Sequence, residues 1–147
     1  MNIQTRDFGE LTVESDDIIK YTKGMYGFEK YKEFVILKDN PEDDIMYLQS
    51  IENRELSFVV IDPYSIMPGY EPKISDEDIN ELKVLDETKL KFLVIAIIKE
   101  KIQDSVVNLK SPIAINPDLK IARQVIVENL EYPLKYPIFN NREGYGC

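Results

Sequence analysis

Two stretches of this chain are apolar at every position, Phe58-Val59-Val60-Ile61 and Leu93-Val94-Ile95-Ala96-Ile97-Ile98. They are too short for buried helices and rich in β-branched residues, so they predict strands covered on both faces. Covering both faces requires more chain on each side. Gly9, Gly24, Gly27, Pro41, Pro63, Pro68, Gly69, Pro72, Pro112 and Pro117 punctuate the rest, as in a β-rich domain. The pattern predicts strands at Ile3–Phe8 and Leu11–Glu14, joined at Gly9-Glu10, then at Phe34–Leu37, Met46–Ser50, Ser57–Ile61, Phe92–Lys99, Ser105–Leu109, Ile113–Ile115 and Gln124–Val127. Val107-Asn108-Leu109 and Ile113-Ala114-Ile115 alternate more, like half-buried strands.

One helix is well signed. Ser75 is placed to cap it, with Asp78 as a shortened capping-box partner and Ile74 and Ile79 as a hydrophobic staple. Asp76, Glu77 and Asp78 suit the positive end of the helix dipole, and Lys83 suits the other. Ile79 and Leu82 share a narrow apolar face, which predicts a surface helix. A second short turn, Phe28 to Tyr31, follows Gly27. Tyr132-Pro133-Leu134-Lys135-Tyr136-Pro137-Ile138-Phe139 predicts an extended strap packed on the body. The 147 residues fit one domain, 1–147, with the strap forming its tail after about residue 130. The expected fold is mainly β: a compact, β-barrel-like single domain with one short surface helix.

Chemistry is constrained by what is missing. The chain has no His and one Cys, Cys147, which removes Ser-His triads, Cys-His dyads, zinc fingers and disulfide scaffolds from consideration. No metal or other cofactor is expected. The longest apolar run, Phe92 to Ile98, is far short of the ~20 residues that span a bilayer, and the first residues lack the apolar core of a signal peptide. The expectation is a cytoplasmic protein without a membrane partner.

Lys plus Arg number 18 and Asp plus Glu 27, a net charge of −9. Such a chain repels phosphate backbones, so direct nucleic-acid binding is not expected. It suits a basic partner. The acid is concentrated mid-chain: Asp39 to Asp44 carries four acids and no base, and Glu71 to Leu90 carries seven acids against three lysines.

Two functional readings compete. Carboxylates could form an acid/base pair, with Asp62 or Glu71 as the residue of a hydrolase. Asp62 directly precedes Pro63, however, and an Asp there commonly bonds the turn that the proline sets. The aromatic, proline-broken loop Pro63–Pro72 offers a different use. Tyr64, Met67 and Tyr70 are favoured interface residues, with Glu71 beside them for a Lys or Arg at the rim. The alternative is that this loop folds its side chains onto the barrel wall.

The chain also resembles the FliW flagellar assembly factor family, from near its start to about Val127. The resemblance rests on Arg6-Asp7-Phe8-Gly9-Glu10-Leu11, on Asp16-Asp17-Ile18-Ile19 leading to Gly24-Met25-Tyr26-Gly27-Phe28-Glu29, and on Phe34-Val35-Ile36-Leu37. It continues through Leu48-Gln49-Ser50, Phe58 to Pro63, Tyr70-Glu71-Pro72, Ser75 to Asp78, Val107-Asn108-Leu109 and Pro112 to Pro117. One departure is Thr22, where the family often has Pro, which is expected to loosen the approach to the turn. The resemblance implies a non-enzymatic regulator of bacterial flagellum biogenesis. It would bind CsrA, a small dimeric RNA-binding translational repressor, and stop it blocking flagellin mRNA, with flagellin as a competing partner. A chaperone that only escorts flagellin is a rival reading. Gly27, Phe28, Glu29, Tyr64, Met67, Tyr70 and Glu71 are the expected partner-binding residues.

Overall fold

The computed structural model describes residues 1–139; Cys147 lies outside them. Seven strands close into a barrel: β3 (Ile18–Tyr21), β4 (Glu33–Leu37), β5 (Ile45–Ser50), β6 (Ser57–Ile61), β7 (Lys91–Ile97), β9 (Ile113–Asn116) and β10 (Ile121–Gln124). Neighbours from β3 to β7 are antiparallel; β7 pairs with β9 and β9 with β10, and β10 returns to β3 in parallel, Ile121 opposite Lys20. Closure leaves no free edge in the ring. The chain begins with a hairpin of β1 (Asn2–Gln4) and β2 (Glu10–Thr12). The far end of β7 carries β8 (Val106–Val107), which in turn carries β11 (Tyr136–Pro137).

The barrel is filled. Ile19, Tyr21, Phe34, Leu48, Val60, Leu93, Ile113, Ile115 and Ala122, drawn from all seven strands, form one buried cluster. The next residue along a strand points outward, and three further clusters cover that outer face. The hairpin lays Ile3 and Val13 on Val35. The loop after β6 and the strap bury Ile61, Val94 and Ala96. The helix segment buries Ala114 with Leu82, Leu90 and Val125. Val60 and Val94, neighbours in the two apolar runs, are both fully buried, one inside and one outside. Each such side chain contributes about 1.5–3 kcal/mol on leaving water. The apolar runs are strands covered on both faces, as their composition requires. Their end is not: Ile97 and Ile98 are exposed.

The surface helix, α1, runs Asp76–Glu81 with Ser75 as its cap, the Asp78 N–H donating to Ser75 Oγ at 3.1 Å. Asp78 does not close a capping box; its carboxylate meets Arg123 instead. Some strand bounds differ from expectation. The first hairpin is shorter, because Thr5 spends its N–H and hydroxyl on the Gly9 carbonyl. The strand expected at Gln124–Val127 is placed earlier, and β3 was not foreseen. All of β9 is buried, since Leu82 and Leu90, from the chain that follows α1, cover Ala114 on its outer face. The segment read as a strap touches the body through Tyr136, paired to Val107, and through the Ile138 N–H, which donates to Ser105 O at 3.1 Å, while Leu134 and Phe139 are exposed. Among the described residues no helix is long and apolar enough to cross a membrane.

Candidate functional site

Asp62 directly follows β6 and is committed to the turn that it begins. Its carboxylate accepts the Tyr64 N–H at 2.9 Å, and its carbonyl accepts the Ser65 N–H at 3.1 Å and the Ser65 hydroxyl at 2.7 Å. Pro63 occupies the first helical position, where its fixed φ fits and no N–H is missed. Asp62 is therefore a turn residue. Among the described residues no cluster of three His, Cys, Asp or Glu side chains could hold a metal.

This turn and the strap carry a row of three tyrosines. Tyr64 stands edge-on to Tyr70 at 6.1 Å between ring centres, and Tyr70 lies against Tyr132 at 4.7 Å. Tyr70 is only 2% exposed, and its hydroxyl donates to Leu109 O at 2.6 Å. The expectation of an exposed loop fails for this residue, because Leu109, Val127 and Tyr132 from distant segments enclose the ring. Met67 is half-buried against the same cluster. Tyr64 remains 43% exposed, and Glu71 is exposed. Burial pushes both the Tyr64 and Tyr70 phenols up from their ordinary value, and the Asp62 carboxylate adds to the shift at Tyr64. Both rings stay neutral around pH 7. Glu71 is held by its backbone: its N–H donates to Tyr132 Oη at 2.8 Å and its carbonyl accepts from Asn129 Nδ2 at 3.0 Å.

Tyr64, Tyr70 and Glu71 line one groove of about 630 Å³. Its apolar lining includes Ile74, Leu90 and Phe92. Its charged lining is Glu71, Asp76, Glu87 and Glu128 against Lys73. A lining of aromatic and aliphatic side chains with four carboxylates accommodates a protein surface that carries both apolar and cationic groups.

Gly27, Phe28 and Glu29 lie elsewhere. They form the turn between β3 and β4, where the Phe28 ring meets Phe58 edge-on at 5.4 Å. Phe58 is near the start of β6 and Asp62 follows its end, about 13 Å along the strand at ~3.3 Å per residue. The seven expected residues therefore make two surfaces. The Glu29 carboxylate accepts its own and the Gly27 N–H, which holds its carboxyl below the usual range. Thr22, the departure from the family pattern, does not loosen this turn: its N–H donates to Ala122 O at 3.0 Å, a bond a proline lacks.

Several polar residues that hold these surfaces escaped sequence reasoning. Gln49, 1% exposed, accepts the Arg6 N–H at 2.9 Å and donates to Ser50 O and Arg54 O, each at 3.0 Å. Asn116 Nδ2 donates to Leu82 O at 2.9 Å and so finishes the helix. Arg123, in β10, reaches Asp78 at 3.0 Å and Glu77 and Glu81 at 3.5 Å, fastening helix α1 to the barrel. Its signal was present: it is the lone charge in Ile121–Val127, and the helix repeats acids at one-turn spacing. Glu77 and Glu81 are well exposed, so most of the energy lies with Asp78. Arg123→Ala strands that carboxylate, and urea denaturation is expected to show a loss near the low end of the ~3–5 kcal/mol typical of a broken buried pair. A loss below about 1 kcal/mol would show that water replaces the guanidinium without penalty.

Barrel, helix and strap together define a β-barrel with a packed apolar interior and grooves on its outer wall. The chain belongs to the FliW family, whose model, described as FliW protein, matches residues 2–138. The match runs past Val127, so the strap is part of the family pattern. A flagellar assembly factor FliW of Thermoanaerobacter pseudethanolicus is 40% identical over 94% of this chain and 93% of its own length. One of Caldicellulosiruptor saccharolyticus is 35% identical over 95% and 91%. A crystal structure of the flagellar assembly factor FliW superposes with a TM-score of 0.88 at 31% identity, covering 95% of this chain and 98% of that one. The family is one of assembly factors and not of enzymes, and the hydrolase reading on Asp62 or Glu71 falls with that assignment.

Proposed function

We propose that this chain binds a CsrA-type translational repressor and so antagonises its repression of flagellin mRNA, with flagellin as the competing partner. The observation that carries this reading is the acidic groove at Tyr64 and Glu71, on a chain of net charge −9 from a family of flagellar assembly factors. An RNA-binding repressor is expected to be basic. An acidic protein attracts it, occupies it and does not compete for the RNA itself. Apolar contact at Tyr64 supplies affinity that salt does not screen, while the carboxylates govern the rate of encounter.

The test is stopped-flow mixing with purified repressor, followed by addition of flagellin. The association rate is expected to fall about tenfold from low to high salt, since mobile ions screen attraction beyond ~8 Å at physiological strength. The dissociation rate is expected to change little, and flagellin to release the repressor. A salt-independent association rate refutes steering. Binding of flagellin but not of the repressor would make the protein a flagellin chaperone alone.

A further inference from the structure

On the other side of the Asp62–Met67 turn lies a second groove, of about 570 Å³, which shares no lining residue with the first. Tyr64 faces one groove while Ser65 and Ile66 face the other. The loop between β4 and β5 forms one wall, with Ile45 and Tyr47, and the end of the strap forms another, with Tyr136 and Phe139. Ile45 is 41% and Phe139 47% exposed, so apolar surface meets water within the groove. Single exposed apolar residues are ordinary, but several lining one groove make a patch. Asp39, Asp43 and Asp44 also line it, and among the described residues no Lys or Arg does. Among the described residues, no salt bridge uses any of the three. Their loop is held by bonds that do not use the three aspartate carboxylates: Asp43 N–H to Asn40 O at 2.9 Å, Glu42 N–H to Asn40 Oδ1 at 3.1 Å, and Lys38 Nζ to Pro41 O at 3.3 Å.

We infer that this groove is a second docking site, taking an extended lysine- or arginine-bearing segment of a partner protein that buries an aliphatic or aromatic side chain beside Ile45 and Phe139. The inference goes beyond the proposed function, which rests on the Tyr64 groove. Charge complementarity selects the occupant, since the same three carboxylates repel nucleic acid and anionic membrane surfaces. Pro137 has no N–H, so a partner cannot extend the β8–β11 ladder fully along this edge. Recognition is therefore by side chains, with the turn at Ser65-Ile66 as a fixed wall.

The test titrates isotope-labelled full-length chain with a short synthetic peptide alternating lysine with leucine and phenylalanine, and with a twin carrying glutamate for lysine. The lysine peptide is expected to shift amide resonances of residues 39–47 and 136–139, and the glutamate twin is expected to shift none. Asp43→Lys combined with Asp44→Lys, and separately Phe139→Ser, are expected to weaken binding read at these resonances at least about tenfold, whereas Leu130→Ser, exposed and outside both grooves, leaves it unchanged. All of these side chains are exposed, and a thermal melt verifies that each variant folds. Unchanged affinity in both groove variants, equal loss on Leu130→Ser, or no shift with the lysine peptide overturns the inference. Shifts of the same resonances that grow with protein concentration alone, with sedimentation as a dimer, assign the groove to a second copy of this chain and also overturn it.

Discussion

Tyr70→Ala is expected to lower the unfolding free energy by about 3–5 kcal/mol, the range for removing a large buried ring. The ring is 2% exposed and packed between Tyr64 and Tyr132, and its hydroxyl satisfies the buried Leu109 carbonyl. Alanine leaves a cavity and an orphaned acceptor at once. For a domain of this size the melting temperature falls by roughly 2–4 °C per kcal/mol, so a drop of about 10 °C is expected. Tyr70→Phe keeps the ring and isolates the hydrogen bond, at about 1–2 kcal/mol. Tyr64→Ala is the contrast. Its ring is 43% exposed, so stability changes by less than about 1 kcal/mol, while repressor or flagellin affinity falls by ~1–3 kcal/mol if the groove is the contact face. Calorimetry and titration on the same proteins separate the two. A Tyr70→Ala protein melting with wild type would show that the strap closes over the gap, and would remove Tyr70 from the core.

Locally these two tyrosines look alike: both sit in a proline-broken stretch, each just after a proline or glycine. What separates them is Leu109 and Tyr132, 39 and 62 positions beyond Tyr70, and no local pattern encodes that approach. Features written in neighbouring residues were legible. Ser75 caps α1 because its hydroxyl reaches an N–H three residues on, and Asp62 bonds its own turn. The all-apolar runs announced cover on both faces but could not say what supplied it. That cover comes from a hairpin, a helix and a strap at three distant places in the chain. β3 was missed because Asp16, Asp17 and Lys20 break its apolar pattern. The strand expected at Gln124–Val127 was displaced for a related reason: the extended chain continues past β10, with the Val125 N–H donating to Pro112 O at 3.0 Å and the Val127 N–H to Lys110 O at 2.9 Å, after the ladder with β3 has ended. Barrel closure through β7 and β9 is likewise a long-range pairing. For the candidate site, Tyr64 and Glu71 were legible as exposed groups and Tyr70 was not. The Phe28 turn is a separate surface, because the length of β6 lies between Phe58, on which Phe28 packs, and the turn that Asp62 begins.

The turn between β3 and β4 yields the other large effect, and two glycines in it form a matched pair. Gly24 has φ +86° and Gly27 φ +87°, both in the left-handed region that a Cβ disfavours by roughly 1–2 kcal/mol. Their surroundings differ. A Cβ on Gly27 meets nothing within 4 Å, whereas one on Gly24 falls 2.7 Å from both the Cα and the carbonyl oxygen of Glu29. The obstacle is backbone, so no side-chain rotation relieves it. The same turn brings the Phe28 ring onto Phe58 and donates the Phe28 N–H to Met25 O at 2.8 Å. Gly27→Ala is expected to cost about 1 kcal/mol, and Gly27→Val somewhat more because branching adds χ1 restriction. Gly24→Ala is expected to cost about 3 kcal/mol or more, since the backbone conformation and the close approach fail together. Urea denaturation of the alanine variants reads the difference directly, and an unchanged slope would show that the native state and not the unfolded chain carries it. Equal midpoints for Gly24→Ala and Gly27→Ala would mean that Glu29 moves aside freely. The glycine at position 24 would then be present for its φ alone, and the turn would be too soft to hold Phe28 as a fixed contact.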